Sequence, residues 1–205
     1  VTRRLSPLLA ETLPFVAHPQ IRNRGTIGGS LAHADPAAEL PAVALALEAR
    51  LRLVSERGER WLAARDFFTG LFATALAPDE MLAEVRFPKL PERTGCAFGE
   101  IARRHGDYAQ AGAAVVVTLA ADGTLDRARL AYLALGEGPL EAPRAAVVLE
   151  GAAPSAELFA EAAEVALGEV DPTSDVHATE AYKRHLAQRP TGEGTVVRAE
   201  IPCGS

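Results

Sequence analysis

The sequence predicts an α+β fold with antiparallel sheets, and three observations lead to this prediction. Apolar segments of strand length are joined by short polar turns, as in β-hairpins. Segments with apolar residues at helical spacing are grouped apart from the strands, instead of alternating with them. This arrangement occurs on both sides of residues 88–93 (PKLPER), which contain two prolines, three charged residues and little to bury. We therefore expect a domain boundary at this segment.

The first half is predicted to begin with a short helix over residues 6–13. Ser6 is a suitable N-cap for it, and Pro7 fits the first helical turn. A glycine-rich loop follows, and we expect Asp35 to cap a helix whose first residue is Pro36. The strands predicted for this half are 50–55 and 60–64, which form a hairpin, and 80–87.

The second half is predicted to hold a three-stranded antiparallel sheet followed by helices. Asp122 and Gly123 form a turn between its last two strands. The predicted strands are 96–103, 111–120 and 127–136, and the predicted helices are 155–167 and 177–187. In the last helix the residues expected to face inward are Ala178, Ala181, Tyr182 and Leu186. Residues 189–205 are expected to form an irregular tail.

Composition excludes several classes of function. The 205 residues carry a net charge of −6, which argues against binding to nucleic acid or to an anionic membrane surface. Two cysteines are too few for an iron–sulfur or zinc cluster built by this chain alone, because such clusters need about four soft ligands. No apolar run approaches the ~20 residues of a membrane-spanning helix. We expect a cytoplasmic protein.

The glycine-rich loop is the strongest functional signal. Three glycines occur within five positions of the stretch RGTIGGS (24–30), and Thr26 and Ser30 flank them. Exposed N–H groups in such a loop can form an anion site, typically for a phosphate, and the two hydroxyl groups can donate to the same oxygens. The alternative is a tight turn without a ligand. The pattern matches neither the dinucleotide fingerprint nor the P-loop, so by itself it leaves both interpretations open.

Residues 18–47 (HPQIRNRGTIGGSLAHADPAAELPAVALAL) resemble the second phosphate-binding motif of the FAD-binding medium subunit of the molybdenum hydroxylases. This is the family of carbon monoxide dehydrogenase and xanthine dehydrogenase. The positions that match its signature are Ile21, Arg22, Asn23, Gly25, Thr26, Ile27, Gly28, Gly29 and Ser30. The resemblance continues through residues 66–70, 76–88, 98–115 and 174–187, so it extends over nearly the whole chain.

The resemblance implies an antiparallel-sheet lobe of a vanillyl-alcohol-oxidase-type FAD-binding domain over residues 1–89. A small α+β domain of the carbon monoxide dehydrogenase flavoprotein C-terminal type would follow over residues 94–188. It also implies FAD as the cofactor. The residues implied at the pyrophosphate and its surroundings are Arg22, Asn23, Gly25, Thr26, Ile27, Gly28, Gly29 and Ser30.

Four further residues match family positions near the cofactor. Glu39 would accept hydrogen bonds from a sugar, or would pair and cap on a helix surface. Asp107 and Tyr108 match a turn beside the flavin ring. Tyr108 would screen the ring or pack a strand end, and Leu82 would contact the ring or fill an ordinary core position.

The implied function is electron transfer through FAD, from iron–sulfur clusters of a small partner subunit that received the electrons from a large molybdenum-containing subunit. The family's flavin domain also has a first lobe with an earlier glycine motif of the type AGG-x-(S/T)-L, which is absent from this sequence. We therefore expect a fragment that holds FAD weakly. The alternative is a cofactor-free scaffold that docks partners.

Overall fold

The computed structural model describes residues 6–192, with side chains up to residue 187. Its first part begins with four short helices and continues with five strands and one further short helix. The elements are α1 (Pro7–Thr12), α2 (Pro19–Arg22), α3 (Ile27–His33), α4 (Glu39–Ala46), β1 (Arg50–Ser55), β2 (Gly58–Ala63), α5 (Ala64–Phe67), β3 (Phe68–Gly70), β4 (Ala73–Thr74) and β5 (Met81–Arg86).

The second part consists of long strands followed by helices. Its elements are β6 (Thr94–Ala102), β7 (Ala109–Leu119), β8 (Leu125–Leu133), β9 (Leu140–Glu141), α6 (Pro143–Leu149), α7 (Ala156–Leu167) and α8 (Glu180–Gly192).

Antiparallel pairing builds both main sheets. The first sheet has the order β2-β1-β5, and the predicted hairpin pairs Leu51 with Leu62. The second sheet has the order β6-β7-β8-β9. Its three long strands are the predicted ones, and the turn between β7 and β8 contains Gly123 at a φ of 91°, as its type requires. The two-residue edge strand β9 extends this sheet beyond the prediction.

The central strand β7 is buried on both faces. Ala114 and Val116 belong to a core cluster with α4, whereas Ala113 and Val115 belong to a second cluster with the C-terminal helices. This follows from the alternation of side chains along a strand, and it explains why β7 is a continuous apolar run. The second sheet is thus covered by helices on both sides.

Helix α4 connects the two predicted domains. All of its residues are buried, and it packs against β7 and β8 as well as against α1 and α3. Close to its end, Glu48 accepts hydrogen bonds from Arg127 and Arg129 on β8. The segment 88–93 therefore separates two sheets whose strands β1 and β7 belong to one core cluster with helix α4. The division into residues 1–89 and 94–188 stays a prediction.

Three local predictions were wrong. Asp35 caps a turn, in which it accepts from the N–H of Ala37 at 2.9 Å, and the helix begins later, at Glu39. Tyr182 is 47% exposed and Ala181 is exposed as well, because the last helix begins at Glu180 and presents Lys183 and Leu186 inward instead. That helix reaches Gly192, four residues into the predicted tail; residues 193–205 lie outside the described part.

The sequence analysis missed two helices of seven residues, α3 in the segment expected to be a glycine-rich loop and α6 after the second sheet. Among residues 6–192, no helix combines the length and hydropathy needed to cross a membrane. Within the same residues, no group of three or more histidine, cysteine or acidic side chains has the arrangement of a metal site.

Candidate functional site

The glycine-rich segment is a helix start rather than a loop. Thr26 is the N-cap of α3, with an extended backbone, and its Oγ1 accepts a hydrogen bond from the N–H of Gly29 at 2.9 Å. Gly28 and Gly29 are therefore in the first helical turn. The first N–H groups of a helix have no helical acceptor, so this exposed turn presents donors and the positive end of a short dipole to solvent.

The glycines leave space at this turn. A Cβ at Gly28 would meet only the carbonyl oxygen of Leu82 on β5, at an ordinary contact distance of 3.9 Å. A Cβ at Gly29 would lie 2.9 Å from Thr26 Oγ1, and so would push the cap aside. The outer face of the turn is thus open, while its inner face rests on β5.

Arg22 and Asn23 lie just before this turn. Nη1 of Arg22 donates to the carbonyl oxygens of Val16 at 2.8 Å and of Ala17 at 2.6 Å, so the guanidinium holds the preceding loop. Asn23 is an exposed residue at the end of α2. Gly25 donates its N–H to Ile21 at 2.8 Å and continues that turn. Direct contact of these residues with a cofactor stays a prediction.

A groove of about 500 Å³ lies beyond the other end of α3. Exposed apolar side chains of both halves of the chain line it, with Leu71, Phe72 and Tyr108 each more than half exposed. Polar groups line the same groove at Asp35 and, from the segment before α8, at Asp175 and His177. The groove therefore combines apolar walls with polar groups that can orient a ligand, as small-molecule sites in proteins do.

Helix α3 connects the open turn to the groove. His33, its last residue, packs against the ring of Phe72, with centroids 5.2 Å apart, and Phe72 lines the groove. A helix of seven residues is about 10 Å long. The turn with the free N–H groups and the apolar groove are thus held a fixed, short distance apart by one rigid element.

The predicted ring-side residues fall into two places. Tyr108 lines the groove, and its ring centroid is 6.3 Å from that of His177. Asp107 faces away toward His18, at 3.6 Å. Gly106 permits this turn, because its φ is 88° and a Cβ would lie 2.8 Å from the His18 ring. Leu82 is a half-buried strand residue packed on the first core cluster, beneath Gly28.

Glu39 is inside the protein, not on the surface. It is 7% exposed, and burial raises the pKa of its carboxyl, assisted by the charge of Asp35 and opposed by a backbone hydrogen bond. Its neighbour Glu100 on β6 has a buried Oε2 without a hydrogen-bond partner among the described residues. Burial, with the nearby Glu39, raises the pKa of Glu100 to about 8.

Comparison with known proteins identifies the family. Residues 1–90 match the model of the FAD binding domain in molybdopterin dehydrogenase, and residues 96–193 match the CO dehydrogenase flavoprotein C-terminal domain. Carbon monoxide dehydrogenase from Hydrogenophaga pseudoflava, in a structure that lacks the Mo-pyranopterin moiety of its cofactor, superposes with a TM-score of 0.91 at 35% identity, covering 97% of this chain and 68% of that one. The chain belongs to the FAD-binding medium subunits of the molybdenum hydroxylases. This confirms the predicted family, its α+β fold class and FAD as its cofactor.

Two further relatives support this assignment. The alpha subunit of the 6-hydroxypseudooxynicotine dehydrogenase complex of Paenarthrobacter nicotinovorans is 43% identical over 94% of this chain and 65% of its own length. Quinoline 2-oxidoreductase from Pseudomonas putida 86 superposes with a TM-score of 0.88 at 36% identity, over 96% of this chain and 68% of that one. The chain thus spans about two-thirds of the length of these relatives.

The described residues fit the cofactor of this family. The open first turn at Thr26 and Gly28 has room for phosphate oxygens, since no Cβ fills it. The groove beyond α3 has the size and apolar lining for an aromatic ring. FAD, when bound, supplies the redox chemistry, and these residues supply its position and electrostatic surroundings.

Several residues of the groove escaped the sequence analysis. Leu71, Phe72, Asp175, His177 and Lys183 come from segments far apart in the chain, and only folding brings them together. A detectable signal existed for Leu71 and Phe72, because two adjacent bulky apolar residues in a turn between short strands have no obvious core partner.

Glu100→Gln is expected to make stability less dependent on pH. The folded protein keeps the Glu100 proton until about pH 8, whereas the unfolded chain releases it near the ordinary value of 4.5, so the free energy of unfolding falls as pH rises between these values. Glutamine does not ionise, so the variant does not lose stability in this way. We expect its free energy of unfolding to change less between the two pH values, by about 1–2 kcal/mol, a figure that already includes a reduction for partial solvent access. Urea unfolding at both pH values measures the difference.

The control for this prediction is Glu92→Gln, at an exposed position of the segment 88–93. It is expected to leave the pH dependence unchanged. An equal pH dependence in Glu100→Gln and the unaltered protein would show that Glu100 ionises normally in the folded state.

Proposed function

We propose that this chain forms the second phosphate site and part of the ring site of an electron-transfer flavoprotein subunit. In this function, electrons pass from iron–sulfur clusters of a small partner subunit through FAD to an acceptor, after a large molybdenum-containing subunit has received them from a substrate. The intracellular, cytoplasmic location predicted from the sequence belongs to the same proposal. The relatives are themselves subunits or chains of multi-subunit dehydrogenases, which supports the assignment of partners.

One observation carries the proposal. The open, Thr26-capped turn and the apolar groove occupy opposite ends of helix α3, which is seven residues long. FAD has a pyrophosphate and a flat ring system joined by a short chain, so a single molecule can place one group at each end. A phosphate site alone would not need the groove, and an apolar docking surface alone would not need an open turn with two glycines.

Each residue has a role in this proposal. Thr26 fixes the turn, and Gly28 gives phosphate oxygens access to the N–H groups. Ser30 lies on the same helix and adds a hydroxyl close to the turn. Tyr108 forms one wall of the ring site, opposite the segment of Leu71 and Phe72. Glu39, by contrast, supports the fold from inside, because its burial keeps it away from a sugar on the surface.

Titration with FAD tests this function. We expect added protein to quench flavin fluorescence saturably and to shift the visible absorption bands, and we expect ADP to reverse both effects in part by competing for the turn. The measurement is made on this chain and on the full-length subunit in its complex. Fluorescence that stays unquenched in both preparations would contradict the proposal and favour a cofactor-free docking module.

A further inference from the structure

Lys183 is an unusual cation in this protein. Its side chain is 6% exposed, whereas the other lysine of the sequence, Lys89, is an exposed residue of the segment 88–93. Lysine is rarely buried without a charged partner or a polar ligand, because its ammonium group loses hydration. Its position on α8 also brings it to the wall of the groove.

Asp175 holds the Lys183 side chain. Its Oδ2 accepts from Lys183 Nζ at 2.7 Å, and its Oδ1 accepts from the backbone N–H groups of His177 and Ala178 at 2.7 and 2.8 Å. Burial raises the pKa of Asp175, but these hydrogen bonds outweigh it and lower the pKa to about 2. The carboxylate therefore stays charged and fixes both the segment 175–178 and the ammonium group.

The same segment is tied to the sheet beneath the groove. The side chain of Gln110 on β7 donates to the backbone carbonyl of His177 at 3.0 Å, and His177 faces Tyr108. Asp175, His177 and Lys183 thus form one unit with Tyr108 on a single wall. An ammonium group has three N–H donors, and Asp175 is the acceptor that the structure places at hydrogen-bond distance.

We propose that Lys183, positioned by Asp175, is an electrostatic determinant of the flavin ring site that favours the reduced cofactor over the oxidised one. This inference rests on the proposed function and assigns a residue to it. When two electrons from the partner clusters and one proton from solvent reach the ring system, the ring gains one negative charge. A fixed positive charge on a side chain that is itself 6% exposed stabilises that added charge more than a fully solvated one does.

Two substitutions of this pair give effects of opposite sign. Lys183→Met removes the positive charge, so the protein is expected to hold reduced FAD about tenfold less tightly relative to oxidised FAD. For a two-electron couple this ratio lowers the midpoint potential by about 30 mV. Asp175→Asn removes the negative charge that faces Lys183, and it is expected to raise the midpoint potential by a comparable amount. Damage to the fold alone would not change sign between the two variants.

The measurement is a spectroelectrochemical titration of the FAD-loaded full-length protein in its complex, together with the dissociation constant of oxidised FAD. Lys183→Arg keeps the charge, and its affinity for reduced FAD relative to oxidised FAD is expected to stay within twofold of that of the unaltered protein. Lys89→Met removes the other lysine, and no shift is expected. If Lys183→Met does not fold, Asp175→Asn and Lys183→Arg carry the test.

The outcomes separate this inference from the function on which it rests. Opposite shifts in the two charge variants support the role of Lys183. Unchanged potentials, or shifts in one direction for both variants, would overturn it while leaving FAD binding and the proposed function in place. An unaltered protein that binds no FAD overturns both.

Discussion

Gly28→Glu is expected to weaken FAD binding by roughly a hundredfold, about 2.7 kcal/mol, while the protein stays folded. The new carboxylate would stand at the open turn where the pyrophosphate is proposed to bind. Two like charges about 4 Å apart near a protein surface repel by about 4 kcal/mol, which is ample for this loss. The fold tolerates the change, because a Cβ at this position makes only an ordinary contact with Leu82. Fluorescence titration with FAD measures the affinity.

The charge effect has a matched control. Ala160→Glu adds the same charge at an exposed position of α7, outside the groove, and is expected to leave the affinity unchanged. Thermal unfolding accompanies both titrations. A glutamate suits the first turn of a helix, so Gly28→Glu is expected to unfold at or above the temperature of the unaltered protein. Equal FAD affinity in Gly28→Glu and Ala160→Glu would show that the pyrophosphate does not bind at this turn.

Phe67→Ala is expected to lower the free energy of unfolding by about 3–5 kcal/mol and the melting temperature by roughly 10 °C. Phe67 is fully buried and is the largest of the fully buried side chains among the described residues. It packs edge-to-face against Phe68, with ring centroids 5.2 Å apart, and belongs to the core cluster around α4. Removing the ring leaves a cavity that rigid neighbours cannot fill. Urea unfolding measures the loss, with an unchanged slope expected.

Phe72→Ala is the natural partner of this experiment, because Phe72 is only five residues away but 54% exposed. We expect it to cost less than about 1 kcal/mol of stability, as surface substitutions usually do. Since Phe72 lines the groove, the same change is expected to weaken FAD binding. Phe67→Ala should instead lower stability strongly and leave FAD binding unchanged at temperatures where the protein stays folded. Equal destabilisation by the two variants would contradict the placement of Phe67 in the core.

The sequence predicted correctly the strands and helices that are determined by residues close together in the chain. The run from Ala111 to Val117 is apolar throughout, and it forms the middle of strand β7, both of whose faces are covered. Ser155 caps α7 by accepting from the N–H of Leu158, as its residue type favours. The prediction was wrong where one residue could cap either a helix or a turn. Asp35 and Pro36 carry a helix-start pattern, yet the carboxylate caps a turn and the helix starts three residues after Pro36.

The candidate site divides in the same way. The residues from Arg22 to Ser30 are contiguous in the chain, so a family motif could be recognised from the sequence alone. The groove is assembled from five separate segments, and neither spacing nor composition indicates that Phe72 and Lys183 share it. The position of Glu39 was also beyond local reasoning, because its burial depends on the packing of α4 against the second sheet.

The sequence by itself determined the family, the α+β class, the long strands and the glycine-rich motif, since periodicity, turn chemistry and a contiguous motif act over a few neighbouring residues. Only the tertiary structure decided that α4 packs against the second sheet, that Glu39 is buried near Glu100, and that a buried lysine reaches the groove. These features arise from contacts between residues far apart in the chain. Their energies depend on burial and on distances across the fold, and neither quantity is defined until the chain is packed.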